Sequence, residues 1–305
     1  MSDISLLIAT KNRSDFLERL LRYYREVGFK GRMIIGDSSD TSHIEKIKPL
    51  VKEFQSHIDI EYREHPGESN AVCIKNLVDL VSTKYMAVLQ DDDFMIPRSM
   101  DRCIEFLESH PNYVAAQGSA ALFRLDSSGA YGQISLFTHF SQRPHEDETA
   151  AERLRDHFDH YTVNLFAVHR AKTYREMYEH VLALSDRSFG EELLPCCLSV
   201  IFGKHKMLNC LFLVRQGHDQ QYRLPDLFDW ITKHDWFSSY QDFQDCLTNE
   251  LRLKDGLELD EGQKIFKQAF WGYLRRGMVR QWDSRFARPR PVVRLKRVGL
   301  RIPGV

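Results

Sequence analysis

Short apolar runs alternate with longer stretches of helical spacing over the first hundred or so residues. Ile4-Ser-Leu-Leu-Ile8 is too short for a helix and suits a strand buried in a parallel sheet. Phe16, Leu17, Leu20, Leu21, Tyr24 and Val27 then recur at helical spacing, with Asn12 and Ser14 as caps ahead of them and Gly28 closing the helix. Met33–Ile35 predicts a second strand, ending in Gly-Asp-Ser-Ser-Asp. A weaker helix covers 44–56, where Pro49 is expected to set the real start. Ile58–Tyr62 alternates as a strand, Ala71–Val81 is helical, and Tyr85–Leu89 is a strand running into Gln-Asp-Asp-Asp. A helix bearing Met100, Cys103, Ile104 and Leu107 stops at Pro111, and Val114–Gln117 predicts a further strand.

The second half is less regular. Residues 126–150 are polar, with Gly129, Gly132 and a His-Glu-Asp-Glu cluster, and are expected to form a flexible loop beside a site. Asn164–Val168 predicts a strand, 171–184 a helix, Leu193–Phe202 a helix ended by Gly203, and Met207–Arg215 a strand. From Asp226 onward the pattern is helical and aromatic, with a last strong helix near 261–282, and no internal repeats occur. Strands taking turns with helices imply an α/β fold built on a doubly wound, mostly parallel sheet. Such sheets bind ligands in the crevice beyond the carboxyl ends of their strands. Here those ends read Thr10-Lys11-Asn12-Arg13, Asp37-Ser38-Ser39-Asp40 and Asp91-Asp92-Asp93, which is the most informative coincidence in the chain.

Composition narrows the classes. The 305 residues are 43% hydrophobic and 28% charged, ordinary globular values that exclude wholesale disorder and fibrous repeats. A formal net charge of −1 argues against a nucleic-acid binder by bulk charge. No apolar run approaches the roughly 18 residues of a membrane span, and the opening MSDISLLIATKNR is no secretory signal, so a cytoplasmic protein is expected. The six cysteines show no Cys-x-x-Cys, which argues against a zinc site or disulfide frame, and Cys196 and Cys197 read as buried thiols.

Three adjacent carboxylates repel one another, so a fold that gathers Asp91, Asp92 and Asp93 is expected to supply a cation. Mg²⁺ or Mn²⁺ binds through one or two carboxylates and shares its other positions with substrate phosphates, whereas a solvated acidic turn is the plainer alternative. The runs ISLLIATKNR, MIIGDSSD and GESNAVCIKNLVDLVSTKYMAVLQDDDFMIP resemble the family 2 glycosyltransferases of GT-A fold, clearly over about 3–115 and more weakly over 160–220. That family's usual pattern is an apolar strand ending in Pro-Thr-Tyr-Asn-Arg, a strand ending in Asp-Asp-Gly-Ser, an Arg-Asn pair, and Asp-x-Asp before a Pro.

The resemblance implies roles residue by residue. Thr10, Lys11 and Arg13 would line the nucleotide pocket, Lys11 replacing an aromatic that often stacks on the base. Asp37 would accept from the base N–H, though a turn or capping Asp is common in such a place. Lys75, where the family has Arg, would face the nucleotide. Asp91 and Asp92 would reach ribose or metal, and Asp93, Asp91 and His218 would bind the divalent ion, Mn²⁺ or Mg²⁺. Glu191-Glu192 resembles an acidic pair whose second member is the general base, so Glu192 leads and Glu191 is its reserve. At the expected start of helix 193–202 they would also complement the helix dipole, which keeps a carboxylate ionised.

The implied protein has a GT-A-like nucleotide-sugar-binding and catalytic domain over 1–220, a helical C-terminal appendage over 221–284 and a basic tail over 285–305. It would be a metal-dependent transferase moving a sugar from a nucleotide-diphosphate donor, UDP favoured, to an acceptor hydroxyl with inversion. A glycan or lipid-linked acceptor of cell-surface glycan synthesis is expected. Residues 280–301 carry a net charge of +7 with apolar residues interleaved, which suits peripheral attachment to an anionic inner membrane face or to a partner's acidic face, a disordered basic tail being the plain alternative. A nucleotidyltransferase would be expected to show a Gly-rich triphosphate loop, and Thr10-Lys11-Asn12-Arg13 has no glycine. A non-catalytic nucleotide-sugar-binding module would not need both acidic clusters intact.

Overall fold

The computed structural model describes residues 3–140, 142–181, 184–219, 221 and 225–286. Strand β1 (Ile4–Thr10) is covered on both faces, only Ala9 being partly exposed, as its unbroken apolar run requires. It pairs in parallel with β2 (Arg32–Asp37) and β4 (Tyr85–Gln90), and β2 pairs in parallel with β3 (Asp59–Glu64). The register sets Thr10 beside Asp37 and Ala9 beside Gln90, so the polar ends of three strands finish at one level. Helices α1 (Ser14–Glu26), α2 (Thr41–Phe54) and α3 (Asn70–Asp79) make the crossovers, and α4 (Pro97–Ser109) follows β5 (Phe94–Met95).

Beyond β4 the sheet turns mixed. Strand β6 (Tyr113–Leu125) pairs antiparallel with β7 (Ile134–Phe140) and β8 (Val168–Arg170), and in parallel with β9 (Lys204–Gln216). The sheet runs β3-β2-β1-β4-β8-β6-β9-β5, with β7 attached to β6. Helices α5 (Ala150–Asp159), α6 (Ala171–Val181), a π-helical turn (Phe189–Leu193), α7 (Leu194–Phe202), α8 (Leu227–Ile231), α9 (Trp236–Asp255) and α10 (Leu259–Phe286) complete the chain. One core lies between the sheet and α1, α2 and α4; the other joins α3, α5, α6 and α7 to α9 and α10. Phe189 is the hinge of that second core, with ring centroids 4.6 Å from Trp230 and 4.7 Å from Phe243.

Four expectations are corrected. Helix α2 starts at Thr41 and carries Pro49 inside it, because Ile44, Ile47, Val51 and Phe54 form one buried stripe across the proline. Packing of that stripe outweighs the roughly 3 kcal/mol that an interior proline costs. The stretch 126–150 is not all loop: β7 lies within it, strand by pairing with β6 although its side chains are exposed. The strand expected over 164–168 is confined to Val168–Arg170, since Ala167 N–H closes a turn onto the Asn164 carbonyl. The helix containing Glu191 and Glu192 begins ahead of them, where Asp186 accepts from the Phe189 N–H at 3.0 Å. Among the described residues all six cysteines are free, with Cys196 and Cys197 buried, and no helix is long and apolar enough to cross a membrane.

Candidate active site

A cavity of about 770 Å³ opens at the carboxyl ends of β1, β2 and β4, where the topology predicts a ligand crevice. Its wall includes Thr10, Lys11, Arg13, Asp91 and Asp92 on one side and Glu191, Glu192, Arg187 and Arg215 on the other. Two acidic motifs a hundred residues apart in sequence therefore face one space.

The turn after β1 is held by Asn12, a non-glycine residue at φ 57°, in the left-handed region that asparagine tolerates. Its backbone N–H donates to Ser39 Oγ at 2.7 Å, and its side-chain oxygen accepts from the Asp40 N–H at 2.8 Å. These bonds tie the loop after β1 to the loop after β2 and aim Arg13 at the acidic cluster. Arg13 Nη1 donates to Asp91 Oδ1 at 2.6 Å, and Nη2 to Asp92 Oδ2 at 3.1 Å. Thr10 Oγ1 donates to Asp91 Oδ2 at 2.7 Å. His218 Nε2 stands 2.7 Å from Asp92 Oδ2 and its ring stacks on Phe16 at 4.9 Å.

Burial pushes the Asp91 carboxyl up to about 6 against the pull of Arg13. For Asp92 burial acts in the same direction but is outweighed by His218 and Arg13, and the pKa ends below the usual carboxylate value. Asp93 differs from the expected metal ligand. It turns away from the cavity, taking Arg215 Nε on Oδ2 at 2.9 Å and the Gln216 N–H on Oδ1 at 3.1 Å, and burial pushes it up to about 7.

Two further residues stand apart from the cavity wall. Asp37 is buried and accepts from the Ser39 N–H at 2.9 Å and the Tyr62 hydroxyl at 2.6 Å, so its oxygens hold the turn after β2. Lys75 binds Asp79 one turn along α3, at 2.5 Å, with its stem on the helix surface. Neither lines the space.

On the far side Glu192 accepts from the Tyr161 hydroxyl at 3.0 Å, and Glu191 is paired with Arg187 at 2.7 Å. Burial raises the Glu192 pKa, partly offset by the Tyr161 bond and by Arg215. Glu191 is thus held in an ion pair, while Glu192 is the half-free carboxylate with the raised pKa on the cavity wall. The π-helical turn that carries both is a widened turn of a kind often found at functional sites.

The acidic cluster can be tested for a divalent ion by its donors. Both Asp91 oxygens are taken by Thr10 and Arg13, and both Asp93 oxygens by Arg215 and Gln216. Asp92 Oδ2 is shared by Arg13, His218 and Gln221, and only the buried Asp92 Oδ1 lacks a partner. Among the described residues no three His, Cys, Asp or Glu side chains are arranged to hold a metal. The space between Asp91, Asp92 and His218 is filled by the Arg13 guanidinium, so the arrangement fits an internal arginine and not a metal shell.

Two arginines that the motifs do not mark complete the site. Arg215, which reads in sequence only as the end of a strand, bridges Asp93 to the wall opposite Asp91, and Arg19 donates to the Asp92 carbonyl at 2.9 Å. Buried acids demand buried cations, so the acidic cluster signals that such partners exist without identifying which arginines they are.

No protein-family model matches the chain, and no curated protein matches it in sequence. Solved structures do. TarS of S. aureus, residues 1–349 in complex with UDP-GlcNAc, superposes with a TM-score of 0.59 at 13% identity, covering 94% of this chain and 76% of that one. TarS 1–349 in complex with UDP gives 0.56 at 11% identity, with 94% and 75% covered. Against the longer S. aureus TarS structure the score is 0.56 at 12% identity, and this chain spans 46% of its length. The chain therefore shares a GT-A-like fold with these structures, a mixed α/β body carrying a C-terminal helical region.

Proposed function

We propose that the protein is a family 2-like glycosyltransferase that moves a sugar from a nucleotide-diphosphate donor, a UDP-sugar by preference, to an acceptor hydroxyl with inversion at the anomeric carbon. The observation that carries the reading is the meeting of Asp91, Asp92, Arg13 and the Glu191–Glu192 pair around one cavity at the strand ends. The crevice of such a sheet is where a nucleotide is expected, and the superposed TarS structures were obtained with UDP-GlcNAc and with UDP.

In this reading the Glu192 carboxylate takes the acceptor's hydroxyl proton as that oxygen forms its bond to the anomeric carbon. The bond from that carbon to the diphosphate oxygen breaks on the opposite side, and the electron pair leaves with the nucleoside diphosphate. Tyr161 occupies one Glu192 oxygen and fixes the carboxylate plane, leaving the second free for the proton. Lys11, Arg13 and Arg215 bring positive charge to the wall where negative charge develops on the leaving group. A glycan or lipid-linked acceptor, and attachment to an anionic membrane through the basic tail, complete the proposal; residues 287–305 of that tail lie outside the described structure.

The test is calorimetric titration of UDP and UDP-GlcNAc with Mn²⁺ and with chelator, followed by transfer assays of Glu192→Gln. Losing a positioned base costs roughly 10²–10⁴-fold in rate. The variant is expected to bind donor as wild type does and to lose transfer by about that factor, with Glu191→Gln much less affected. The family resemblance implies metal dependence, which the donor set of the acidic cluster does not fit; equal affinity with chelator is therefore expected and would assign the diphosphate's counter-charge to the arginines. Wild-type transfer by Glu192→Gln, or absence of nucleotide binding under both conditions, overturns the reading.

A further inference from the structure

The last half of α10 carries an exposed aromatic and basic face that the core does not use. Trp271 is 77% exposed, Trp282 64% and Phe286 65%, high values for side chains of this size in a folded helix. At 100° per residue Trp271, Arg275, Val279, Trp282 and Phe286 fall within one arc of about 80°. On the opposite arc Phe266 and Phe270 pack into the second core, and a side chain at Gly277 would strike Leu227 of α8. The outward stripe is about 22 Å long. Trp282 and Phe286 touch along it, ring centroids 4.5 Å apart.

Charge selects what covers this face. Arg275 lies within the stripe and Arg285 and Arg276 flank it, while Arg280 lies on the far side of the helix; Asp283 is the one acid of the stretch. Arg276 and Arg285 are anchored to Asp159 and Asp226, whereas among the described residues Arg275 and Arg280 form no ion pair. In sequence the chain continues with Arg288, Arg290, Arg294, Lys296, Arg297 and Arg301 and no acid. Two copies meeting through this face would oppose like charges. A flat apolar strip with tryptophans, rimmed by arginines, matches an anionic lipid surface, where indole rings sit at headgroup level and guanidinium groups pair with phosphates.

We infer that the Trp271–Phe286 face of α10 is an interfacial membrane-docking surface for anionic lipid. The surface does not depend on the chemistry proposed for the cavity. It would nevertheless hold the catalytic half at the bilayer, because Tyr273 of the same helix packs on Tyr161, the partner of Glu192, with ring centroids 5.1 Å apart.

The experiment is co-sedimentation of the full chain with phosphatidylglycerol-containing vesicles and with pure phosphatidylcholine vesicles, at low and high salt. Wild type is expected to bind the anionic vesicles and to show tryptophan quenching by brominated acyl chains. The Trp271→Ser/Trp282→Ser double variant, which keeps every arginine and alters only exposed positions, is expected to lose about tenfold or more in partition and to lose the quenching. Circular dichroism checks that its fold is retained. Unchanged partition of the double variant, or no binding of wild type to anionic vesicles at low salt, overturns the inference. So does a wild-type dimer in solution that the double variant turns into a monomer, since a second copy would then own the face.

Discussion

At Glu192, opposing influences meet on one carboxylate. Burial pushes its pKa up, while the Tyr161 hydroxyl and Arg215 hold it down. A general base works best when ionised at the working pH yet not far above its own pKa, so a raised glutamate suits the task. The Tyr161 bond favours the charged form, and its loss must raise the pKa further. Tyr161→Phe is therefore expected to move the acid limb of the transfer-rate profile to higher pH, with donor affinity unchanged. A pH–rate profile checks it; an acid limb that stays in place or moves down would show that Glu192 is not the titrating base. Arg13 shows a related balance: burial opposes its charge, but Asp91 and Asp92 outweigh that and raise its pKa, making it a permanent cation inside the acidic cluster.

Between α5, β8 and β9 the chain buries four histidines. His145, His157, His169 and His205 are nearly inaccessible, and ring centroids lie 5.0 Å apart for His145–His157 and 5.7 Å for His169–His205. Burial lowers His169 to about 4 and holds His157 and His205 well below the usual value. His145 is also lowered, mainly by burial, although Asp156 and Asp147 favour its charge while Arg143 opposes it. An unfolded chain takes up protons on these groups below about 6.5, while the folded one resists until much lower pH. Stability is thus intact above about 6.5 and falls as pH drops through the window below it, by about 3 kcal/mol for His169 alone on reaching pH 4. Urea unfolding followed from pH 7.5 to 5 is expected to show that decline with net proton uptake on unfolding; a flat profile would contradict it. None of this could be read from spacing, because the four histidines lie on separate elements that only the sheet brings together. The same limit explains β7: its exposed Ile134–Phe140 run owes its strand state to β6, not to its own pattern. Strands β1, β2 and β4 were readable because burial on both faces leaves an unbroken apolar run, and the polar ends of those strands located the cavity. Asn12 and Arg215 were not readable as site parts, since one acts through backbone conformation and the other through a partner 122 positions away.

For the whole molecule, the question is whether 221–284 is an appendage in the energetic sense. Phe243, Leu247, Phe266 and Phe270 are buried against Phe158 and Phe189, side chains of the sheet's own helical layer. Asp255 at the end of α9 accepts from the Ala150 and Ala151 N–H groups, 2.9 and 2.8 Å, and so satisfies the first turn of α5. Removing the C-terminal helices would strip one face of the second core and leave those donors without a partner. Large aromatics dominate such contacts, and each contributes roughly 1.5–3 kcal/mol when fully buried, against a total stability of about 5–15 kcal/mol for a typical domain. A chain ending at residue 220 is therefore expected not to fold as an independent unit, and to give a weak near-ultraviolet dichroism signal and dye-binding apolar surface. Truncation at 286, which removes only the basic tail, should melt as the full chain does. A cooperative melt from the 220-residue fragment would instead make the second core separable and the helices a true accessory. The dependence matters for function, because Tyr161 lies between Glu192 and Tyr273 of α10. The C-terminal helices thus bear on the position of Glu192, the proposed base, as well as on the core that carries it.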